Sequence, residues 1–351
     1  MFDWEKGEVA LFISLIKFKV DLINDNCRQN KLRMIEQKSG FMLSVAKNDE
    51  GHKLFYTLYQ PKDVDSIKAT LLICHGMQEH SGRYEELAQF LTENGYVVLT
   101  YDHLGHGKTA QTKEELGFFT EINPREQVVM DAENMADYLE HKFPYVPHFL
   151  LGHSMGSFIA RCFLQIAPQR FDGAVIVGTG AKMAGIGLAK GLLNFLNALN
   201  PRKRSRFVNL TFAKMNNAKF KGEVPNDYTN WLSVNKQNRE NFLNDPLCGK
   251  MFTNNGFKTL IELNMDATKS NWHKPLLKKF PMFFISGEHD PIGGFGRGIK
   301  KTIADLKANN FTNIDMKLYP NMRHEIFFED EKNVVFSDIR DWLNQQLNPS
   351  K

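Results

Sequence analysis

The chain has 351 residues, 42% of them hydrophobic and 24% charged, with a formal net charge of +4. That is a globular composition, long enough for one large α/β domain with an insertion or for two domains, and its charge excess is too small to argue for nucleic acid as a partner. The longest apolar runs fall short of a bilayer span, the start Met1-Phe2-Asp3-Trp4-Glu5-Lys6 is not that of a secretory signal, and Cys27, Cys74, Cys162 and Cys248 are scattered, which together indicate free thiols and a cytoplasmic location.

Residues 8–24 place Leu11, Leu15, Phe18 and Leu22 on one helical face and Ser14, Lys17, Asp21 and Asn24 on another. The pattern predicts an amphipathic helix, docked on the body or lying on a membrane or partner chain. Phe41–Ala46 and Lys53–Gln60 flank the turn-like Asn48-Asp49-Glu50-Gly51 and read as a hairpin. Then come an apolar strand at 69–74, a helix at 83–94, a strand at 96–101 and a helix at 124–143 that opens on Pro124. A strand at 148–153, a helix at 157–167 and a strand at 173–177 follow. This alternation predicts an α/β protein with a doubly wound, mostly parallel sheet and helices on both faces.

Residues 181–274 break the alternation and read as helices and loops, 188–199 among them. Between 182 and 250 there are 12 Lys or Arg against 4 acids, densest at Arg202-Lys203-Arg204-Ser205-Arg206. Such a segment is either a solvated insertion or a lid whose basic face meets an anionic surface such as phospholipid. A strand at 280–286, a helix at 296–309, a strand at 313–319 and a helix at 333–347 complete the pattern. The expected organisation is an N-terminal extension over 1–39, a body over 40–180 and 275–351, and a cap over 181–274.

Phe149-Leu150-Leu151-Gly152-His153-Ser154-Met155-Gly156-Ser157 joins an apolar strand, a Gly-x-Ser-x-Gly turn and a helix. The pentapeptide alone also occurs in surface turns. Between a buried strand and a helix it reads as a nucleophile elbow, which holds a serine hydroxyl clear of the backbone at a helix N-terminus. A serine nucleophile needs a base, and the base an orienting acid. The loops after the last two strands supply Asp290, in Gly287-Glu288-His289-Asp290-Pro291, and His324. Glu288 and His289 are near neighbours of Asp290, which sits deeper in its loop. The backbone N–H groups of Met155 and Met77 are the candidate oxyanion donors. No cofactor is required. His75, His80, His103 and His106 lack the spacing of a metal site and read as structural histidines near the pocket rim, and His153 as packing beneath the elbow. Gly293-Gly294-Phe295-Gly296-Arg297-Gly298 does not match a phosphate loop.

Several separated motifs resemble the monoacylglycerol lipase and lysophospholipase group of α/β-hydrolases. They are His75-Gly76-Met77-x-Glu79-His80-Ser81-Gly82-Arg83-Tyr84, Tyr101-Asp102-His103-Leu104-Gly105-His106-Gly107, Gly152-His153-Ser154-Met155-Gly156, Asp245-Pro246-Leu247-Cys248 and Ser286-Gly287-x-x-Asp290-Pro291. The resemblance covers about residues 40–348. It implies an α/β-hydrolase fold and an esterase for glycerolipids with one acyl chain, with 181–274 as a cap over an apolar tunnel. A related esterase or thioesterase, an aminopeptidase-like hydrolase and an acyltransferase stay open as alternatives. Gln78 stands where that group usually has Gly, and residues 1–39 have no counterpart in it.

Overall fold

The structure is a computed structural model that describes residues 34–44, 51–182 and 185–348. The helix expected at 8–24 and the turn at 48–51 up to Glu50 lie outside these residues. β1 (Ile35–Leu43) and β2 (Lys53–Pro61) form the antiparallel hairpin. β3 (Ala69–Cys74), β4 (Tyr96–Tyr101), β5 (His148–His153), β6 (Gly173–Val177), β7 (Met282–Gly287) and β8 (Ile314–Tyr319) complete an eight-stranded sheet of order β1-β2-β4-β3-β5-β6-β7-β8. β2 meets β4 antiparallel, and every pairing from β4 to β8 is parallel.

β3, β4, β6 and β7 are buried along their whole length, which explains their unbroken apolar sequences. Alternate residues serve opposite faces. Leu71, Ile73, Val98, Leu151 and Val175 pack under α1 (Glu85–Glu93) and α9 (Lys332–Leu347). Leu72, Leu99, Leu150, Ile176 and Phe284 pack under α2 (Pro124–Lys142), α3 (Met155–Ile166) and α8 (Arg297–Ala308).

The insertion contains α4 (Ile186–Leu199), α5 (Arg206–Asn217), α6 (Lys236–Asn244) and α7 (Asn254–Ala267). Leu263 and Ala267 of α7 are fully buried in the same cluster as α3, so residues from about 254 onward pack as body. The cap expected to run to 274 was outlined by a loss of strand pattern, and a helix on the sheet's outer layer gives the same loss. Phe220, Trp231, Leu232, Phe242 and Cys248 form a small cluster of the insertion's own.

The β5–α3 junction sets the position of Ser154. A Cβ on Gly156 would lie 2.0 Å from the Cys74 carbonyl oxygen, and one on Gly152 would lie 2.3 Å from that of Gly156. The two glycines of the motif are therefore there to let three backbones touch. Gly156→Ala has to push α3 off β3. We expect it to lower the unfolding free energy by roughly 1–3 kcal/mol, read from the urea midpoint; an unshifted midpoint would contradict the close approach.

Candidate active site

Ser154 sits at φ 54° and ψ −119°, a conformation that L residues adopt only under constraint. Its N–H donates to the Val177 carbonyl at 2.9 Å. Its own carbonyl accepts from the Ser157 N–H at 2.9 Å and from the Ser157 hydroxyl at 2.5 Å. Held this way, the Ser154 Oγ lies 2.8 Å from His324 Nε2. His324 Nδ1 lies 3.0 Å from Asp290 Oδ2. Asp290 is fully buried, and its second bonds, from the Ser286 hydroxyl and the Ile292 N–H, both at 2.8 Å, aim its carboxylate. Glu288 and His289 point to solvent. Burial alone would lower the His324 pKa; the Asp290 carboxylate outweighs it and raises the pKa above the ordinary imidazole value.

Met77 lines the cavity in front of Ser154, and Met155 opens α3. Among the described residues neither backbone N–H has a protein acceptor, so both donors are free. Between Met77 and the loop's next turn, Gln78 takes φ 58°. A glycine enters that region at no steric cost, which accounts for the glycine usual there in the resembling group. Here the strained Gln78 is held by its carbonyl, which accepts the Gly249 N–H from the insertion at 2.8 Å.

A buried polar network supports these groups. Glu79 accepts the Gly76 N–H at 2.6 Å, the Tyr84 hydroxyl at 2.8 Å and Arg83 at 2.7 Å, and its Oε1 lies 3.2 Å from His153 Nδ1. Burial would raise the Glu79 pKa; the Arg83 guanidinium and the His153 contact hold it well below the usual carboxylate range. Arg83 also forms a bidentate pair with Glu325, at 2.6 and 3.0 Å, and reaches Asn238 of α6 at 3.1 Å. Asn238 donates in turn to Glu325 at 2.7 Å. His153 does pack beneath the elbow, where its Nε2 lies 3.2 Å from the His324 carbonyl. The sequence marked Glu79 and Arg83 only as members of a motif. Their partners Asn238 and Glu325 lie far along the chain, and no local pattern reveals them.

His75, His103 and His106 are buried behind the oxyanion loop and do not line the cavity, in contrast to the expected rim position. Burial and mutual repulsion push His75 well down; burial above all, with His106 beside it, takes His103 to about 3, and burial takes His106 to about 4, so all three are neutral packing groups. Asp102 fastens the loops by accepting the Ser81 N–H at 2.7 Å and the Lys108 N–H at 2.6 Å. His80, by contrast, meets Asp245 at 2.9 Å, close to Cys248. These are the types of group that hold zinc. Burial pushes the Cys248 thiol far up despite the pull of the nearby Arg83 guanidinium, and that fixed cation disfavours a metal beside it.

The sheet and the serine turn define an α/β-hydrolase, and solved structures of that shape superpose on it. A carboxyl esterase from Bacillus coagulans matches with a TM-score of 0.79 at 23% identity, over 89% of this chain and 99% of that one. A soluble variant of the monoglyceride lipase of Saccharomyces cerevisiae matches with a TM-score of 0.66 at 21% identity, over 87% and 96%. The family described as "Serine aminopeptidase, S33" matches residues 65–331, well over half of the chain, and the chain belongs to that hydrolase family. Among curated proteins, the monoglyceride lipase of Homo sapiens is 26% identical over 85% of this chain and 89% of its own length. The monoacylglycerol lipase of Mycolicibacterium smegmatis is 24% identical over 85% and 95%.

Arg83 neutralises two buried carboxylates at once. Arg83→Met should leave Glu79 and Glu325 uncompensated and cost roughly 3–5 kcal/mol of stability. Chemical denaturation measures it, and a loss below about 1 kcal/mol, the size of an exposed pair, would mean the network is solvated.

Proposed function

We propose that Ser154, His324 and Asp290 act as nucleophile, general base and orienting acid, and that Met77 and Met155 supply the oxyanion hole. The observation that carries this reading is the 2.8 Å contact of Ser154 Oγ with an imidazole whose other nitrogen meets a buried carboxylate. In the reaction His324 takes the serine proton as Oγ attacks an ester carbonyl. The two free N–H groups hold the oxyanion, the leaving alcohol departs with the proton, and water cleaves the acyl-enzyme by the same relay. The chain is a carboxylic ester hydrolase.

Its substrate is a glycerolipid with a single acyl chain, a monoacylglycerol in the first instance. The cavity in front of Ser154 measures about 360 Å³, at the small end of ligand sites, and is lined by Met77, Leu210, Phe212, Trp231, Phe242 and Met251 among others. An apolar space of that size suits one chain better than three. The names of the lipase relatives support the same choice. Peptidase chemistry at a free amino terminus would need an unengaged acid in the pocket. Glu79 and Glu325 line it but are neutralised by Arg83, and among the described residues Asp227 accepts only the Thr229 hydroxyl and N–H, both through Oδ1.

The insertion also supports docking on a lipid surface. Leu188, Leu192, Phe195 and Leu199 recur at helical spacing along α4 and are all exposed, as are Phe207 and Leu210 on α5. Exposed Arg202, Lys203 and Arg206 accompany them. An apolar face edged by cations is the pattern of an interfacial helix. No helix among the described residues is long and apolar enough to cross a membrane.

Ser154→Ala should reduce monoacylglycerol hydrolysis by about 10⁴-fold or more. The assay runs beside lysophosphatidylcholine, triacylglycerol, a short p-nitrophenyl ester and an amino-acyl amide, with product analysis for transfer to glycerol. Preference for the short ester or the amide would reject the lipid assignment. Because the base works only when neutral, kcat/KM should fall as pH drops through a His324 pKa above the ordinary value of about 6.5. An acid limb below that value would contradict the Asp290 pairing. Phe195→Ser combined with Leu188→Ser should weaken co-sedimentation with anionic vesicles and spare turnover of the short ester; unchanged sedimentation would remove α4 from the membrane contact.

A further inference from the structure

We propose that Trp231, whose ring the insertion places against that of His324, is a positioning residue that stabilises the protonated form of that histidine during the reaction. The inference rests on the triad reading above. The His324 imidazole has two aromatic neighbours. The His153 ring lies with its centroid 4.9 Å away and its plane inclined by 38°. The Trp231 ring lies at 5.0 Å and 35°. An indole face within about 6 Å of a cation attracts it through the ring quadrupole, and tryptophan is the strongest of the aromatic side chains in this role. His324 is neutral while it waits and becomes a cation when it has taken the Ser154 proton. An attraction that appears only on protonation lowers the barrier instead of merely tightening binding.

The indole has little freedom to turn away. Trp231 is 8% exposed and lines the substrate cavity. Its backbone N–H donates to the Asn217 side chain at 3.1 Å, and Phe212 meets its ring edge-on. The segment that carries it is sewn to the histidine loop on both sides. Arg323 donates to the Asn230 carbonyl at 2.5 Å, and the Glu325 N–H donates to the Leu232 carbonyl at 2.7 Å. The buried Glu329 carboxylate accepts the Ser233 hydroxyl at 2.6 Å and the Val234 N–H at 3.1 Å. These four bonds tie residues 230–234 to residues 323–329. These bonds fix this part of the insertion against the histidine loop.

The charged groups around His324 come from the other elements. Asp290 faces Nδ1 from the loop after β7. Glu79 approaches from the oxyanion loop beside His153, and Glu325 follows directly in the chain, with Arg83 between the two. Arg323 precedes His324 and is committed to Glu223 and the Asn230 carbonyl. From the insertion, the group stacked on the imidazole is uncharged Trp231. Its effect is therefore separable from theirs by substitution.

The sign of a pH shift distinguishes this role from that of a simple cover. If the indole stabilises the imidazolium, its removal lowers the His324 pKa and moves the acid limb to lower pH. If it only excludes water, its removal hydrates the imidazolium, raises the pKa and moves the limb up. The test uses the full-length chain and the rate of covalent labelling by a fluorophosphonate, which needs the Ser–His–Asp relay but no lipid. Wild type, Trp231→Phe, Trp231→Leu and Ser154→Ala are compared from pH 5 to 9, with thermal unfolding to confirm that each is folded. Trp231→Leu should label about 2- to 30-fold more slowly at its plateau, with its acid limb moved down. Trp231→Phe should recover part of both effects. A Leu variant whose limb stays or moves up, or a folded Phe variant no better than Leu, overturns the inference while leaving the triad in place. Labelling that persists in Ser154→Ala overturns the triad itself, which is a different result.

Discussion

Everything at the site depends on keeping Ser154 in a backbone conformation it would not choose. A residue of this kind at φ 54° stores on the order of 1–3 kcal/mol, and the surroundings must supply more than that. The supply is local and dense. The strand before it is clamped between β3 and β6, the helix after it is pressed against the Cys74 carbonyl, and the Val177 and Ser157 bonds close the turn. The hydroxyl is thereby presented at the carboxyl edge of the sheet, where parallel strands deliver their following loops to one place. Asp290 and His324 arrive there because β7 and β8 run parallel to β5 in the same sheet.

The loop at 75–84, the loop that carries His324 and α6 are joined by the ion network around Arg83. A single guanidinium bonds Glu79 of the oxyanion loop, Glu325 of the histidine loop and Asn238 of α6. Buried charges are costly unless matched, so displacement of any one of these segments exposes the others to an uncompensated charge. The network therefore couples the position of the loop that carries Met77 to that of the loop that carries His324. It also places two carboxylates beside the cavity without leaving either available to a cationic substrate, which is a matter of selectivity as much as of stability.

The sequence disclosed the parts of this design that are written locally. Apolar runs revealed β3 to β7 because buried parallel strands have no polar face. Ser154, Asp290 and His324 stood out because each follows a strand in the order the fold demands, and the structure brings the three within hydrogen-bonding distance. What stayed hidden is pairing across long separations. Arg83 and Asn238 are 155 positions apart, and nothing in either neighbourhood names the other. The histidines show the same limit from the other side. His75, His103 and His106 looked like rim residues because they flank loops near the site, yet the loops fold so that their rings face inward. Periodicity also failed to separate α7 from the insertion, since a helix that packs on the body and one that packs on the cap have similar patterns.

The insertion itself is two structures in one sequence segment. Residues 230–249 are bound to the loops that carry Met77 and His324 by Glu329, Arg323, Arg83 and the Gly249–Gln78 bond, and they share a small aromatic core. α4 and the start of α5 instead turn Leu188, Phe195, Leu199 and Phe207 outward, and only Ile186 and Leu193 of α4 are fully buried. A segment held against His324 and an apolar face turned to the surroundings have opposite requirements: the first needs tethers, the second needs exposure. One half of the insertion is thus bonded against the loops around His324, and the other carries the exposed apolar face.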